Sequence, residues 1–330
     1  MRERRPTIYD VAQRAGVSKS LVSLVLQGSP RVSDASRAAI ETAIAELDYR
    51  PSSAAAQLAA GATRLVGVLI DDYTNLWFVD LVRGLQDVLA PEGYRLTVID
   101  VATARGDHPV DELLSMRVDG LVVAMDVPDA LRDVVATPMV IAGTREQIPR
   151  HAGSVANDDE AGARLAAAHL LDLGHRSIGH VSAAGGAALA RRAGFRDALR
   201  DAEITEVPEI AAGTGSEGDG YEAALALLRA EPGLTAIFAA NDLVALGVLG
   251  AARTLGRDVP ADLSVIGYDD TPVAATHLID LTTIDDSSAA VGRAAGRLLL
   301  RAMSGQADAE HVSIEPTLVV RGTTAPSEVR

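Results

Sequence analysis

Apolar residues in the first sixty positions recur at helical spacing, whereas along the rest of the chain they come largely in short unbroken runs. In "TIYDVAQRAG", Ile8, Val11, Ala12 and Ala15 follow the i, i+3, i+4, i+7 rhythm of a helix that buries one face. Thr7 and Asp10 stand at capping-box spacing at its start, and Gly16 ends it. A second helix follows in "SKSLVSLVLQG" with Ser18 as its cap. Its inner face is Leu21, Val22, Val25 and Leu26, and its outer face is Lys19, Ser20, Ser23 and Gln27. Leu24 falls near the middle of that polar face at about 100° per residue. The third helix, "DASRAAIETAIAELDYRP", is capped by Ser33, buries Ile40, Ala43, Ile44 and Leu47, and stops at Pro51.

Two short helices joined by a tight turn containing Gly16 have the spacing of a helix-turn-helix. In that motif the second helix lies in the major groove and meets base edges with its outer face. A plain three-helix bundle with a solvated face satisfies the same spacing. "SSAAAQLAAG", Ser52 to Gly61, is uncharged, Ala-rich and shorter than the roughly 12 residues an isolated helix needs. It is either a flexible linker or a segment that folds only with support.

From Leu65 onward, strand-like runs alternate with amphipathic helices. The runs are "RLVGVLID", "YRLTVIDV", "DGLVVAM", "PMVIAG", "SIGHVSA", "LTAIFAAND" and "LSVIGYDD", and helices such as "DEAGARLAAAHLLDLG" and "NDLVALGVLGAARTLG" lie between several of them. This alternation predicts an α/β fold with parallel sheets covered by helices on both faces, and the length leaves room for two sheets. Ligands of such sheets bind beyond the carboxyl ends of the strands. Polar residues gather at those ends: Asp71 and Asp72, Asn241 and Asp242, Asp269 and Asp270. Trp77 and Phe78 follow the first strand in "YTNLWF", so an aromatic face beside Asp and Asn suits a sugar ring. Each of these acids would also serve as a helix N-cap; the repetition at three strand ends points to a pocket.

Composition narrows the picture. The 330 residues suggest two or three domains. With no cysteine, disulfides, thiolate zinc sites and cysteine nucleophiles are all excluded, and a reducing cytosol fits. No signal peptide and no apolar run of membrane-spanning length is found, so a soluble cytoplasmic protein with no membrane contact is expected. The net charge is −15, yet residues 1–33 hold Arg2, Arg4, Arg5, Arg14, Lys19 and Arg31 against Glu3 and Asp10. A basic head on an acidic body suggests a nucleic-acid module joined to something else. Phosphate-loop, dinucleotide-loop, nucleophile-elbow and zinc-helix motifs are missing. "SAAGGAALARRAGF" could receive an anion at a helix start, but alone it assigns nothing. His169 and His175 are six apart and not on one helical face, so no metal site is expected, and no cofactor.

These features, in this order, resemble the LacI/GalR family of bacterial transcriptional regulators along nearly the whole chain. The phrases that carry the resemblance are "TIYDVAQRAGVSKSLVSLVLQG", "RVSDASRAAIETAIAELDYRPS", "LAAAHLLDLGHRSIGHV", "RRAGFRDAL", "AIFAANDLVALGVL", "LSVIGYDD" and "LTTI". The resemblance implies an all-α helix-turn-helix headpiece at 1–50, a hinge helix or linker at 51–61, and an effector-binding and dimerisation domain at 62–330. That domain would be periplasmic-binding-protein-like, two-lobed and built on doubly wound parallel sheets, with lobes of roughly 62–157 plus 287–314 and 158–286 plus 315–330. It further implies a homodimer on a pseudo-palindromic double-stranded operator, a repressor controlled by a sugar or sugar derivative between the lobes.

By the same resemblance, Thr7, Tyr9, Ser18, Lys19, Ser20, Ser23, Leu24, Gln27 and Arg31 face DNA. Leu58 holds the place of the leucine that wedges into the minor groove and bends the duplex. Asp72, Asn75, Trp77 and Phe78 would meet the effector from one lobe. Arg191, Asn241 and Asp269 would meet it from the other, with Asp158 in "ANDDEAG" beside the cleft. Family members commonly carry arginine where this chain has Leu24, and leucine offers DNA only an apolar contact such as a thymine methyl. The tail "VVRGTTAPSEVR" lacks a heptad pattern, which favours a dimer over a tetramer. Two other classes compete. A sugar receptor without DNA-binding activity would need a signal peptide, and an enzyme with a fused regulatory domain would need a nucleophile or cofactor motif.

Overall fold

The computed structural model describes residues 6–26, 29–49, 63–101, 103, 109–306 and 309–327. The chain forms two compact units, residues 1–64 and 65–330.

In the first unit, α1 (Ile8–Ala15), α2 (Lys19–Leu26) and α3 (Asp34–Glu46) follow one another closely. The backbone N–H and the hydroxyl of Thr7 both donate to the Asp10 carboxylate at 2.7 Å, which fixes the start of α1. Gly16 ends it in the left-handed conformation, φ 68°, which costs a residue without Cβ nothing. Ser18 accepts from the N–H of Leu21 at 3.2 Å, and Ser33 caps α3 by accepting from that of Ser36 at 3.3 Å. Val11, Val22, Val25, Ile40 and Ala43 form the core. Leu24 departs from its expected place on the wet face: it is half-buried and packs against this core. A long helical side chain leans back over the preceding turn, so on an eight-residue helix a leucine flanking the apolar stripe reaches the core edge.

The second unit holds two parallel sheets. The first comprises β1 (Leu65–Ile70), β2 (Arg95–Asp100), β3 (Gly120–Val123), β4 (Met139–Ala142), β5 (Gly153–Asn157) and β11 (His311–Ile314), in the order β11-β5-β4-β3-β1-β2. Helices α4 (Leu76–Leu89) and α11 (Ser288–Met303) cover one face, and α5 (Pro109–Ser115) and α6 (Asp129–Arg132) the other. The second sheet comprises β6 (Ile178–Ser182), β7 (Glu209–Ala211), β8 (Ala236–Ala239) and β9 (Ser264–Ile266), in the order β7-β6-β8-β9. It lies between the pair α7 (Asp159–Asp172) and α8 (Gly186–Asp201) and the pair α9 (Glu217–Ala230) and α10 (Asp242–Thr254). Strands buried on both faces must be apolar throughout, which is why they read as unbroken runs.

A short antiparallel pair, β10 (Thr283–Asp285) with β12 (Thr317–Val319), completes the second lobe and is bridged to it through Ile266 and Thr282. The seven segments read as strands all form. The other five strands among the described residues have three to five residues, and polar positions such as Ser154, Glu209, Asp285 and Ser313 break the apolar runs that mark the rest. Among the described residues the chain passes between the lobes three times: from β5 to α7, from β10 to α11, and from β11 to β12.

Glycine closes the helix pairs. A Cβ on Gly84 of α4 would stand 2.2 Å from the carbonyl oxygen of Ala289 on α11, and one on Gly292 would stand 2.2 Å from that of Leu81. The pair α9–α10 meets in the same way at Gly220 and Gly247.

Candidate functional site

Both sheets turn the carboxyl ends of their strands toward one cavity of about 520 Å³, within the 300–1,000 Å³ typical of small-molecule clefts. The loop after β1 supplies Asp72, whose carboxylate accepts from the N–H and hydroxyl of Thr74 at 2.7 and 2.6 Å. Asn75 caps α4 by accepting from the N–H of Trp77 at 3.0 Å. Trp77 and Phe78 occupy the first turn of α4 and meet edge to face, with ring centroids 5.2 Å apart. After β8, Asn241 caps α10, accepting from Val244 at 2.7 Å and donating to the carbonyl of Gly215 at 3.1 Å. Helix capping and cavity lining are therefore done by the same residues. Asp242 does neither: it is buried and accepts from the hydroxyls of Thr271 and Thr283.

Arg191 on α8 is the hub. Its Nε donates to Asp159 at 2.7 Å, its Nη1 donates to the Ala240 carbonyl at 2.7 Å and lies 3.0 Å from Asp269. The guanidinium lies 3.6 Å from the centroid of the Tyr268 ring. Among the described residues its Nη2 donates no hydrogen bond, and it comes within 3.8 Å of Asp286. Burial works against the charge of Arg191, but Asp159 and Asp269 outweigh it and raise its pKa. Burial pushes Asp269 up to about 7 despite that arginine, and Asp242 to about 6 despite its threonine partners. Three carboxyls around one guanidinium cannot all be neutralised by it.

Asp158 is corrected here. It is exposed, caps α7 by accepting from the N–H of Ala161 at 2.9 Å, and does not line the cavity. Asp159, buried, reaches Arg191 and also accepts from the hydroxyl of Thr144. An N-cap turns its side chain onto its own helix, so the next residue, the first helical one, faces inward; two adjacent acids hide that register in the sequence. Asp126, Arg145 and Asp286 also escape sequence reasoning. Asp126 and Arg145 sit in strand-end loops with no motif, and Asp286 follows the three-residue β10. Burial lowers the pKa of Arg145 against the pull of Asp71 and Asp126.

In the first unit, Tyr9 is 64% exposed and the Lys19 ammonium lies 5.0 Å from its ring centroid. Ser18, Ser20 and Arg31 are exposed, and Ser23 is half-buried. The hydroxyl of Thr7 is engaged by Asp10. Gln27 and Leu58 lie outside the described residues, as does the segment 51–61.

Comparison with known proteins gives a consistent result. Residues 7–52 match the pattern of bacterial regulatory proteins, lacI family, and residues 167–324 match the periplasmic binding protein-like domain. The ribose operon repressor of Halalkalibacterium halodurans is 32% identical over 330 residues, covering 98% of each chain. A LacI-family transcriptional regulatory protein from Corynebacterium glutamicum is 47% identical, with a TM-score of 0.71, over 80% of this chain and 99% of that one. The lac repressor dimer bound to operator and the anti-inducer ONPF is 30% identical, with a TM-score of 0.86, over 98% of this chain and all of that one.

Proposed function

Because the chain belongs to the LacI family of bacterial regulatory proteins, we propose that it is a sequence-specific transcriptional repressor. On this reading its headpiece binds a two-fold symmetric operator as a homodimer, and a small hydroxylated molecule, a sugar or sugar derivative, binds between the lobes and controls that affinity. The observation that carries the effector reading is the cleft itself: Arg191 with Nη2 free of hydrogen bonds among the described residues, Asn241 and Asp72 at strand ends, and the Trp77 face all border one cavity. Polar groups converging on an aromatic wall suit a ring of hydroxyls, each bidentate carboxylate or amide ordering two of them. Exposed Lys19, Ser20 and Tyr9 form the groove-facing surface of the headpiece, with Leu24 at its margin; Leu58, in the segment 51–61 outside the described residues, is the minor-groove wedge.

Trp77 is the only tryptophan in the chain, so the cleft reports on itself. Titration of full-length protein with D-ribose and a panel of neutral pentoses, hexoses and disaccharides is expected to change its emission saturably for at least one of them. The same sugar should shift the gel retardation of a promoter fragment from the gene's own neighbourhood. Arg191→Lys, which keeps a cation among the buried carboxyls but loses the planar fork, and Asn241→Ala should each abolish the sugar response and spare salt-dependent DNA binding. A sugar that binds equally well to both variants would overturn the site; absence of specific DNA retardation at low salt would overturn the repressor reading.

A further inference from the structure

Asp286 is fully buried and does not line the cavity, yet it touches two residues that do. Its Oδ2 accepts from the indole Nε1–H of Trp77 at 2.7 Å and lies 3.8 Å from Nη2 of Arg191. Its Oδ1 is buried without a hydrogen-bond partner among the described residues. Trp77 starts α4 in the first lobe, Arg191 belongs to α8 in the second, and Asp286 sits on the crossing from β10 to α11. We propose that Asp286 is the positioning residue of the cleft, fixing the plane of the Trp77 indole from the interlobe crossing and holding it beside Arg191. One consequence concerns recognition. With its only donor spent on Asp286, the indole offers a ligand an aromatic face and no hydrogen bond, so hydroxyl recognition falls to Arg191 and Asn241.

Geometry also decides the charge state. The groups facing Asp286 are Arg191 from α8, Asp159 from the start of α7, and Asp269 and Tyr268 from the loop after β9; α4 contributes only the neutral indole. One guanidinium serves three buried carboxyls, and Asp159 and Asp269 hold the shorter contacts to it. Asp286 is the least compensated, so burial and the neighbouring Asp269 push its pKa well above the ordinary carboxylate value against Arg191. A proton on Oδ1 leaves Oδ2 as the acceptor for the indole and removes the cost of a bare buried anion.

This proposal rests on the cleft being the effector site, but its test uses the effector-free protein, so the two can fail separately. Emission and near-ultraviolet circular dichroism of Trp77 in the full-length chain are followed from pH 4 to pH 9. The expected result is a transition with its midpoint above the ordinary carboxylate range. Asp286→Asn should abolish that transition and keep the emission maximum, since an amide oxygen still accepts from the indole. Asp286→Leu should shift emission to the red and increase acrylamide quenching; if it fails to fold, the Asn variant alone decides. Persistence of the parent's transition in Asp286→Asn, or no transition in the parent while it remains native, overturns the proposal.

Discussion

The same substitution should act with opposite signs at two glycines. Gly84 is buried in mid-α4, and an alanine there would place Cβ 2.2 Å from the Ala289 carbonyl, where real Cβ atoms essentially never come within 3.0 Å. The obstacle is backbone on a packed helix, so no side chain can turn aside. The helices must separate, loosening Leu81 and Leu85 from Val291 and Ala295. Overpacking of this kind costs about 1–3 kcal/mol or more, and the better helix propensity of alanine returns about 1 kcal/mol. Gly84→Ala should therefore lose up to about 2 kcal/mol net, or more if the helices cannot separate cleanly. At Gly218, in the first turn of α9, an added Cβ meets nothing within 4 Å, so Gly218→Ala should be neutral or gain up to about 1 kcal/mol. Urea denaturation followed by far-ultraviolet circular dichroism compares the midpoints, and Trp77 emission reports whether the start of α4 has moved. A Gly84→Ala protein as stable as the parent would refute the idea that glycine sets this helix contact.

Arg191→Met should destabilise the second unit by about 3–5 kcal/mol, because it strands buried carboxyls without their cation; a denaturation midpoint near the parent's would contradict the hub. For His180, burial lowers the folded-state pKa, so the folded chain stays neutral while the unfolded chain takes up a proton below about 6.5. The stability tied to this group is present above that pH and is lost as pH falls below it. His180→Phe should flatten that loss between pH 7 and pH 5, measured as the slope of the denaturation midpoint, and an unchanged slope would exonerate His180. Leu24→Arg should move operator preference in a random-library selection toward guanine at one symmetric pair of positions. Because Leu24 packs on the headpiece core, the change should also cost about 1 kcal/mol, and a selection returning the parent operator would remove Leu24 from the readout. Leu58→Ala should weaken specific operator binding by a few kcal/mol while leaving sugar affinity alone; unchanged DNA bending would count against a wedge.

Residues reveal what repeats and conceal what depends on one dihedral. The long apolar runs around Val68, Val122 and Ile237 could be read as buried parallel strands because every position of such a strand is covered. Thr7, Gly16 and Ser33 announce helix ends because capping chemistry is local. Strand-end polarity led to Asp72, Asn241 and Asp269 for the same reason, since topology puts those ends together. Asp159 was hidden by its neighbour Asp158, and which acid turns inward depends on where α7 begins. Asp286 was hidden more deeply. Its partners Trp77 and Arg191 lie far off in sequence, and β10 is too short to mark where the strand ends. Leu24 misled because it is flanked by polar residues in sequence, whereas at about 100° per residue it lies only about 60° from Leu21, beside the apolar stripe, and its side chain leans onto the core edge.

Two of the three passages between the lobes carry groups in or beside the cleft: Asn157 and Asp159 flank the first, and Asp286 lies on the second. A segment at a hinge moves least when two bodies rotate, and what it carries has the shortest lever arm. A contact made there would be magnified outward, so a small adjustment beside Arg191 would become a larger excursion at the lobe rims. Three adjacent passages also resist twisting and sliding far more than they resist folding about their common line. Lobes joined in this way would have one soft coordinate, and a ligand bound beside Arg191 would act near its pivot.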